Sequence, residues 1–362
     1  MASNKQYLGN KGEWSELYVL LKLLADGKIH AADEHLKKSS DIYLPILKIF
    51  RSDGDKNLTY TIPDNKDKVI ELYINGDKIE SIKRSDIAQM AQDTYQGIIE
   101  GSTKAAFAIP EGRNAMNRLH CYALKAASND KTDIKMEIHD PHTGYRSKTG
   151  FSIKSRLGSP STLLNAGKTT NFIYTVTGIS DSDMDRINSI DGKTKLKDRM
   201  SEIFTLGDIK YDTVASKVFE GNLQMIDSLM DDIIAELLLL HYKIQKSDLT
   251  ELVTLLEKND PLGYNRDGIY RFKLKKLLAA IALGMMPGKE WDGRDESNGG
   301  YIIVREDGEV LTYLIYNRDS FETYLLNNTY LERASSTKHD YCRLYKIGNS
   351  MKINLNLQIR FR

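Results

Sequence analysis

TDIKMEIHDPHTGYRSKTGFSIKS, residues 132–155, alternates apolar and polar side chains on both sides of a turn signal, the pattern of a β-hairpin. Folded about Thr143-Gly144 as a two-residue turn, it pairs residues whose numbers sum to 287. Ile134 then opposes Ile153 and Met136 opposes Phe151, so one face is apolar and requires a core. The other face sets Asp133 opposite Lys154 and Lys135 opposite Ser152. Asp140, in HDPH, opposes Ser147 and points to the apolar side, which ranks it below Asp133 unless a bulge intervenes.

An acid, a lysine and a hydroxyl gathered at a strand end are what phosphodiester hydrolysis needs. The carboxylate can hold Mg²⁺, the lysine can position a water or neutralise developing charge, and a backbone carbonyl beside the lysine adds an oxygen ligand. An Asp–Lys pair across a solvated hairpin is also commonplace, and worth under ~1 kcal/mol. The hairpin alone therefore leaves both meanings open.

On the N-terminal side, Trp14, Leu17, Tyr18, Leu21 and Leu24 form the stripe of an amphipathic helix from Gly12 to Asp26-Gly27. Residues 41–85 alternate loosely, and Asn75-Gly76 between VIELYI and KIESIK marks a type I′ hairpin. Helices are predicted at Ser85–Glu100 and Asn114–Ala127. Beyond the hairpin a short LLNA piece leads to the strand TNFIYTVTG, and then MIDSLMDDIIAELLLLHYKIQ, DLTELVTLLEK and FKLKKLLAAIALGMM read as three helices. After the glycine-rich break Pro287–Gly300, YIIVREDGEVLTYLIY is a hairpin turning at Asp307-Gly308, and INLNLQIRF is a last strand. The expected fold is α/β (α+β): a mixed sheet flanked by helices in a catalytic region 1–195, a helical region 196–290 for DNA recognition or dimerisation, and a β-rich region 291–362.

Bulk properties set the class. The 362 residues, 41% hydrophobic and 28% charged, suit a globular chain of about two domains. A net charge of +1 announces no polyanionic partner, but it also permits a basic cleft backed by an acidic surface. Cys121 and Cys342 lie in no metal-ligand spacing and read as reduced thiols. The start MASNKQYLGNKGEWSE has no secretion signal, and Ile233–Leu240, interrupted by Glu236, is too short to span a bilayer. A soluble cytoplasmic protein with no membrane contact is expected.

Three stretches in order carry a resemblance: GNKGEWSELYVLLKLLADGK at the start, FSIKS with SPSTLLNAGKTTNF in the middle, and GGYIIVREDGEVLTYLIYNRDSFETYLL with LNLQIRF at the end. Across nearly its whole length the chain resembles the HpaII family of type II restriction endonucleases, and residues 131–172 look like the core of a PD-(D/E)xK nuclease. The resemblance implies a Mg²⁺-dependent nuclease in which Asp133 ligates the metal, Ile153 lends its carbonyl and Lys154 acts on the attacking water. The motif's middle acid is Ser152 here, so a second carboxylate must come from elsewhere. Gly12 and Glu16 match a Gly-x-x-x-Glu pattern that points its Glu at the metal, with Glu13 the spare and a solvated helix position the plain alternative. The implied target is the duplex palindrome CCGG. A repair or resolvase nuclease, and a non-catalytic DNA-binding protein with a decayed site, are the competing classes.

DNA contacts are expected from the polar connection after the hairpin, through Ser155, Arg156, Asn165, Lys168, Thr170 and Asn171, although Ser-Pro-Ser-Thr is also ordinary cap and turn chemistry. A G·C-only site calls for arginines, and Arg266, Arg271, Arg294, Arg305 and Arg318 are available, each more commonly a surface residue. A palindrome suits a homodimer. The seven histidines form no metal or catalytic set, Trp291 is taken as a packing residue, and without a phosphate-binding glycine loop no NTP is expected.

Overall fold

The computed structural model describes residues 7–63, 68–102, 105–124, 132–141, 144, 146–314 and 318–362. The chain begins with α1 (Lys11–Asp26), and Asn10 and Glu13 close a capping box at its start. The Asn10 side chain accepts from the Glu13 N–H at 3.0 Å and the Glu13 carboxylate accepts from the Asn10 N–H at 2.9 Å. Gly27, at φ +65°, ends the helix. There follow β1 (Lys28–Ala32), β2 (Lys38–Asp53), β3 (Lys56–Thr61), β4 (Val69–Ile74), β5 (Asp77–Lys83), α2 (Arg84–Glu100), α3 (Pro110–Arg118), β6 (Ile134–His139) and β7 (Arg146–Ser155). Next come β8 (Thr162–Leu164), β9 (Asn171–Thr177), α4 (Asp181–Ser189), α5 (Lys195–Leu206), β10 (Asp208–Val214), α6 (Lys217–Ile226), α7 (Met230–Ile244), α8 (Leu249–Asn259) and α9 (Ile269–Leu283). The chain closes with β11 (Gly300–Val304), β12 (Val310–Leu314), α10 (Arg318–Asn327), β13 (Thr329–Leu331), α11 (Ser336–His339), β14 (Leu344–Ile347), β15 (Ser350–Asn356) and β16 (Ile359–Phe361).

Two compact units result, one of residues 1–161 and 295–324, the other of 162–294 and 325–362. The first is built on a nine-stranded mixed sheet, order β1-β12-β11-β7-β6-β2-β3-β4-β5. The β1–β12 and β7–β11 pairs are parallel and the others antiparallel. One face carries Ile134, Met136, Phe151, Ile153, Ile302 and Val304 into a core shared with Trp14, Leu17 and Leu21 of α1. The other face is divided. Over β11 and β12 it is covered by α10, where Phe321 packs on Tyr301 and Tyr313 at centroid distances of 5.2 and 5.7 Å. Over β6 and β7 it presents Lys135 and Lys148, both exposed.

The second unit has a four-stranded antiparallel sheet, order β10-β9-β15-β14, and a three-stranded one, order β13-β16-β8. The Tyr174 hydroxyl on β9 donates to the Ala235 carbonyl of α7 at 2.9 Å, and Phe172 meets Phe219 of α6 edge-on. Each unit holds one of the chain's two tryptophans, a fully buried Trp14 in the first and a half-buried Trp291 in the second. Cys121 and Cys342 are buried free thiols, and among the described residues no helix is long and apolar enough to cross a membrane.

Several elements differ from the sequence expectation. The helix predicted from MIDSLMDDIIAELLLLHYKIQ is interrupted, because the Asp227 carboxylate accepts the Leu229 N–H at 3.0 Å and ends α6. The helix predicted at Asn114–Ala127 starts at Pro110 and stops at Arg118, while residues 125–127 lie outside those described. A strand, β10, stands among the predicted helices. INLNLQIRF makes two strands in two sheets, since the Leu357 N–H bonds Thr170 and takes the chain out of the β15 ladder. Asn75 (φ +52°) and Gly76 (φ +98°) form the expected I′ turn between β4 and β5.

Candidate active site

The hairpin forms with its faces as expected and its register moved. Ile134 pairs with Phe151 and His139 with Arg146, so paired numbers sum to 285 rather than 287. Moving the centre of the connection by one residue slides the strands by two, and an even slip keeps every side chain on its face. Thr143, half of the expected turn, lies outside the described residues. Asp133 lies one residue before the first pair of β6, its side chain beside Ser152, and Lys154 follows Ser152 by two residues on β7.

At this point the β6–β7 ladder stops and Asp133 completes it. Its N–H donates to the Phe151 carbonyl at 3.0 Å. Its Oδ2 accepts the Ile153 N–H at 2.6 Å and the Ser152 hydroxyl at 3.1 Å. Because a strand residue sends N–H and C=O to the same edge, the Ile153 carbonyl points to the edge where Asp133 sits. On the same face, Tyr301 of β11 lies in register with Ser152 and Ile303 with Lys154. Burial pushes the Tyr301 hydroxyl well above its usual pKa, with Tyr324 and the Asp133 charge adding to it.

The donors around Asp133 are all oxygens: its carboxylate, the Ile153 carbonyl and the Ser152 hydroxyl. That is the chemistry a hard divalent cation takes, so the set fits Mg²⁺, with water completing its shell. Among the described residues no three His, Cys, Asp or Glu side chains gather as a metal cluster. Glu13 serves the capping box. Glu16 is half-buried and follows Ser15, whose hydroxyl donates to Ser155 at the end of β7 at 2.7 Å. Asp140 sits at the far end of the hairpin, about 20 Å along the strand from Asp133, where its carbonyl accepts the Gly144 N–H.

The sequence profile of the HpaII restriction endonucleases matches residues 10–361. The chain belongs to this family. It is 38% identical to the type II restriction enzyme HpaII of Haemophilus parainfluenzae over 359 residues, 98% of this chain and 99% of that one. No solved structure matches it.

The residues expected to meet DNA fall into different settings. The Ser155 hydroxyl accepts from Ser15 and from the Leu157 N–H. Arg156 lines a recess with His35, Lys37 and Arg305. Asn165 and Lys168 are exposed, Lys168 at 3.8 Å from Asp340. Thr170 and Asn171 are buried: Asn171 donates to the carbonyls of His339 and Asp340, and Asn356 donates to both residues' side-chain oxygens. Burial and these bonds make the two residues a brace inside the fold instead of surface donors. Arg294 is 87% exposed, whereas Arg318 is tied to Glu322 at 3.0 Å and Asp295 at 3.3 Å. Burial raises the Asp295 carboxyl, against the opposing pull of Arg318.

Sequence reasoning passed over Lys148 and Asn298. Lys148 was within reach, since the alternation that puts Asp133 and Lys154 on one face puts Lys148 there too. Asn298, whose Oδ1 accepts the Gly150 N–H at 2.9 Å, had no local signal because that contact spans 148 residues of chain.

Proposed function

We propose that this protein is a Mg²⁺-dependent type II restriction endonuclease of PD-(D/E)xK type that hydrolyses phosphodiester bonds in duplex DNA at CCGG. The observation that carries the proposal is the Asp133 carboxylate at the end of the β6–β7 ladder, bonded to Ser152 and Ile153, with Lys154 next in sequence on β7. Membership of the family supports the reaction class.

Asp133, the Ile153 carbonyl and Glu16 would hold the ion. Bound there, it would stabilise charge on the phosphate and acidify a water. Ser152 and the Ile153 N–H fix the Asp133 carboxylate, so its orientation costs nothing at the moment of reaction. The Lys154 ammonium holds the attacking water and offsets the negative charge that builds on the phosphate. Ser155, Arg156, Asn165, Lys168, Arg294 and Arg318 would supply contacts to the duplex, and a homodimer would match the symmetry of the palindrome.

Digestion of unmethylated plasmid DNA with Mg²⁺, followed by sequencing of the fragment ends, tests the proposal. Ends at CCGG are expected. Ends at another palindrome would discard the site and keep the reaction. Intact DNA bound by the protein would favour a non-catalytic DNA-binding protein, consistent with serine in the motif's acid position.

A further inference from the structure

Two recesses open on the first unit's sheet where, among the described residues, no helix covers it. One, of about 480 Å³, lies among Phe50, Asn57, Thr59 and Asp133. The other, of about 490 Å³, lies among Gly150, Glu296 and Asn298. Thr132, Lys135 and Lys148 line both, so the recesses join with two lysines at the junction. A trough of this kind, with Asp133 in its wall, fits an extended anion better than a single small one.

The two lysines are placed for successive charges. Lys135 pairs with Gly150 and Lys148 with Glu137, which makes them diagonal neighbours about 7–8 Å apart at the backbone. That is the scale of the step between adjacent phosphates on one strand. The Lys148 ammonium rests 3.9 Å over the Phe50 ring, which holds a long side chain in the trough and lowers the entropy lost when it meets an anion. Nearby, Lys48 and Glu137 pair at 3.3 Å and cancel. Glu296 is the carboxylate of the second recess.

We infer that this trough carries the sugar–phosphate backbone of the duplex beside the scissile phosphate, with Lys135 and Lys148 as phosphate contacts that read no bases. The inference rests on the nuclease function proposed above. It sets the path of the DNA across the sheet, from Asp133 over β6 toward β2 and β3.

The test is duplex binding in Ca²⁺ by fluorescence anisotropy, between 50 and 200 mM salt, with a CCGG duplex and a scrambled one. Wild type is compared with the K135A/K148A and K135R/K148R double variants. With alanine, the slope of log K against log[salt] should become shallower by about 1.8, roughly 0.9 for each phosphate that is no longer neutralised. Affinity should fall by the same factor for both duplexes, and arginine should restore slope and affinity. A wild-type slope in K135A/K148A, a loss confined to the CCGG duplex, or an equal loss with arginine would overturn the inference. Wild-type protein that binds neither duplex would overturn the nuclease proposal itself.

Discussion

Ser152 lies beside Asp133 at the end of the strand pair and donates to its carboxylate. An aspartate there would set two like charges beside each other, which is destabilising unless a cation lies between them. Ser152→Asp should therefore lower Tm in EDTA and recover it in Mg²⁺. The same Tm in both buffers would show that no cation binds at this pair. Lys154→Ala should cut the cleavage rate by on the order of 10²–10³ while leaving DNA binding in Ca²⁺ near wild type, measured by single-turnover kinetics and anisotropy. Much of this site was legible in the sequence, because period-two alternation assigns faces without knowledge of the register. Which residue meets Asp133 was not, since register depends on the connection and HDPHTGYR admits more than one. The burial of Thr170 and Asn171 was equally hidden, because their partners His339, Asp340 and Asn356 arrive from the other end of the chain.

Elements with their own punctuation were read well. Helix α1 has the Asn10–Glu13 box at one end and Gly27 at the other, and the β4–β5 turn has Asn-Gly. Elements shaped by a distant partner were misread, as at Asp227, whose carboxylate both breaks the helix and binds Lys273 of α9. Asn10→Ala should cost about 1 kcal/mol of stability, visible in chemical denaturation, because it leaves the Glu13 N–H without its cap. Gly300 opens β11 at φ +140°, and a Cβ there would lie 2.2 Å from the Tyr313 carbonyl oxygen. Gly300→Ala should destabilise by about 2 kcal/mol or more, and an unchanged denaturation midpoint would contradict this placement.

Over the whole molecule, stability at mild acid should depend on His241. Burial lowers its pKa to about 4 from 6.5. Its Nδ1 faces the Lys246 carbonyl while its Nε2 accepts from Arg333 Nε at 3.2 Å, an arrangement that suits the neutral ring. Between pH 6.5 and 4 the unfolded chain therefore binds a proton that the folded one refuses. Stability is complete above about 6.5 and falls by as much as about 3 kcal/mol as pH drops to 4. His241→Gln should flatten that part of the stability–pH curve relative to wild type, and parallel curves would remove His241 as the cause.

Trp14 lies fully buried in the unit that holds Asp133, and Trp291 lies in the unit that holds His241. Intrinsic emission is thus already sorted by unit, with no extrinsic dye required. Excited where tyrosine does not absorb, a Trp291→Phe protein would fluoresce from the first unit alone, and its difference spectrum from wild type would isolate the second. Acidification should then redden the Trp291 signal while the Trp14 signal holds, letting one cuvette follow the loosening of one unit separately from the unit that holds Asp133.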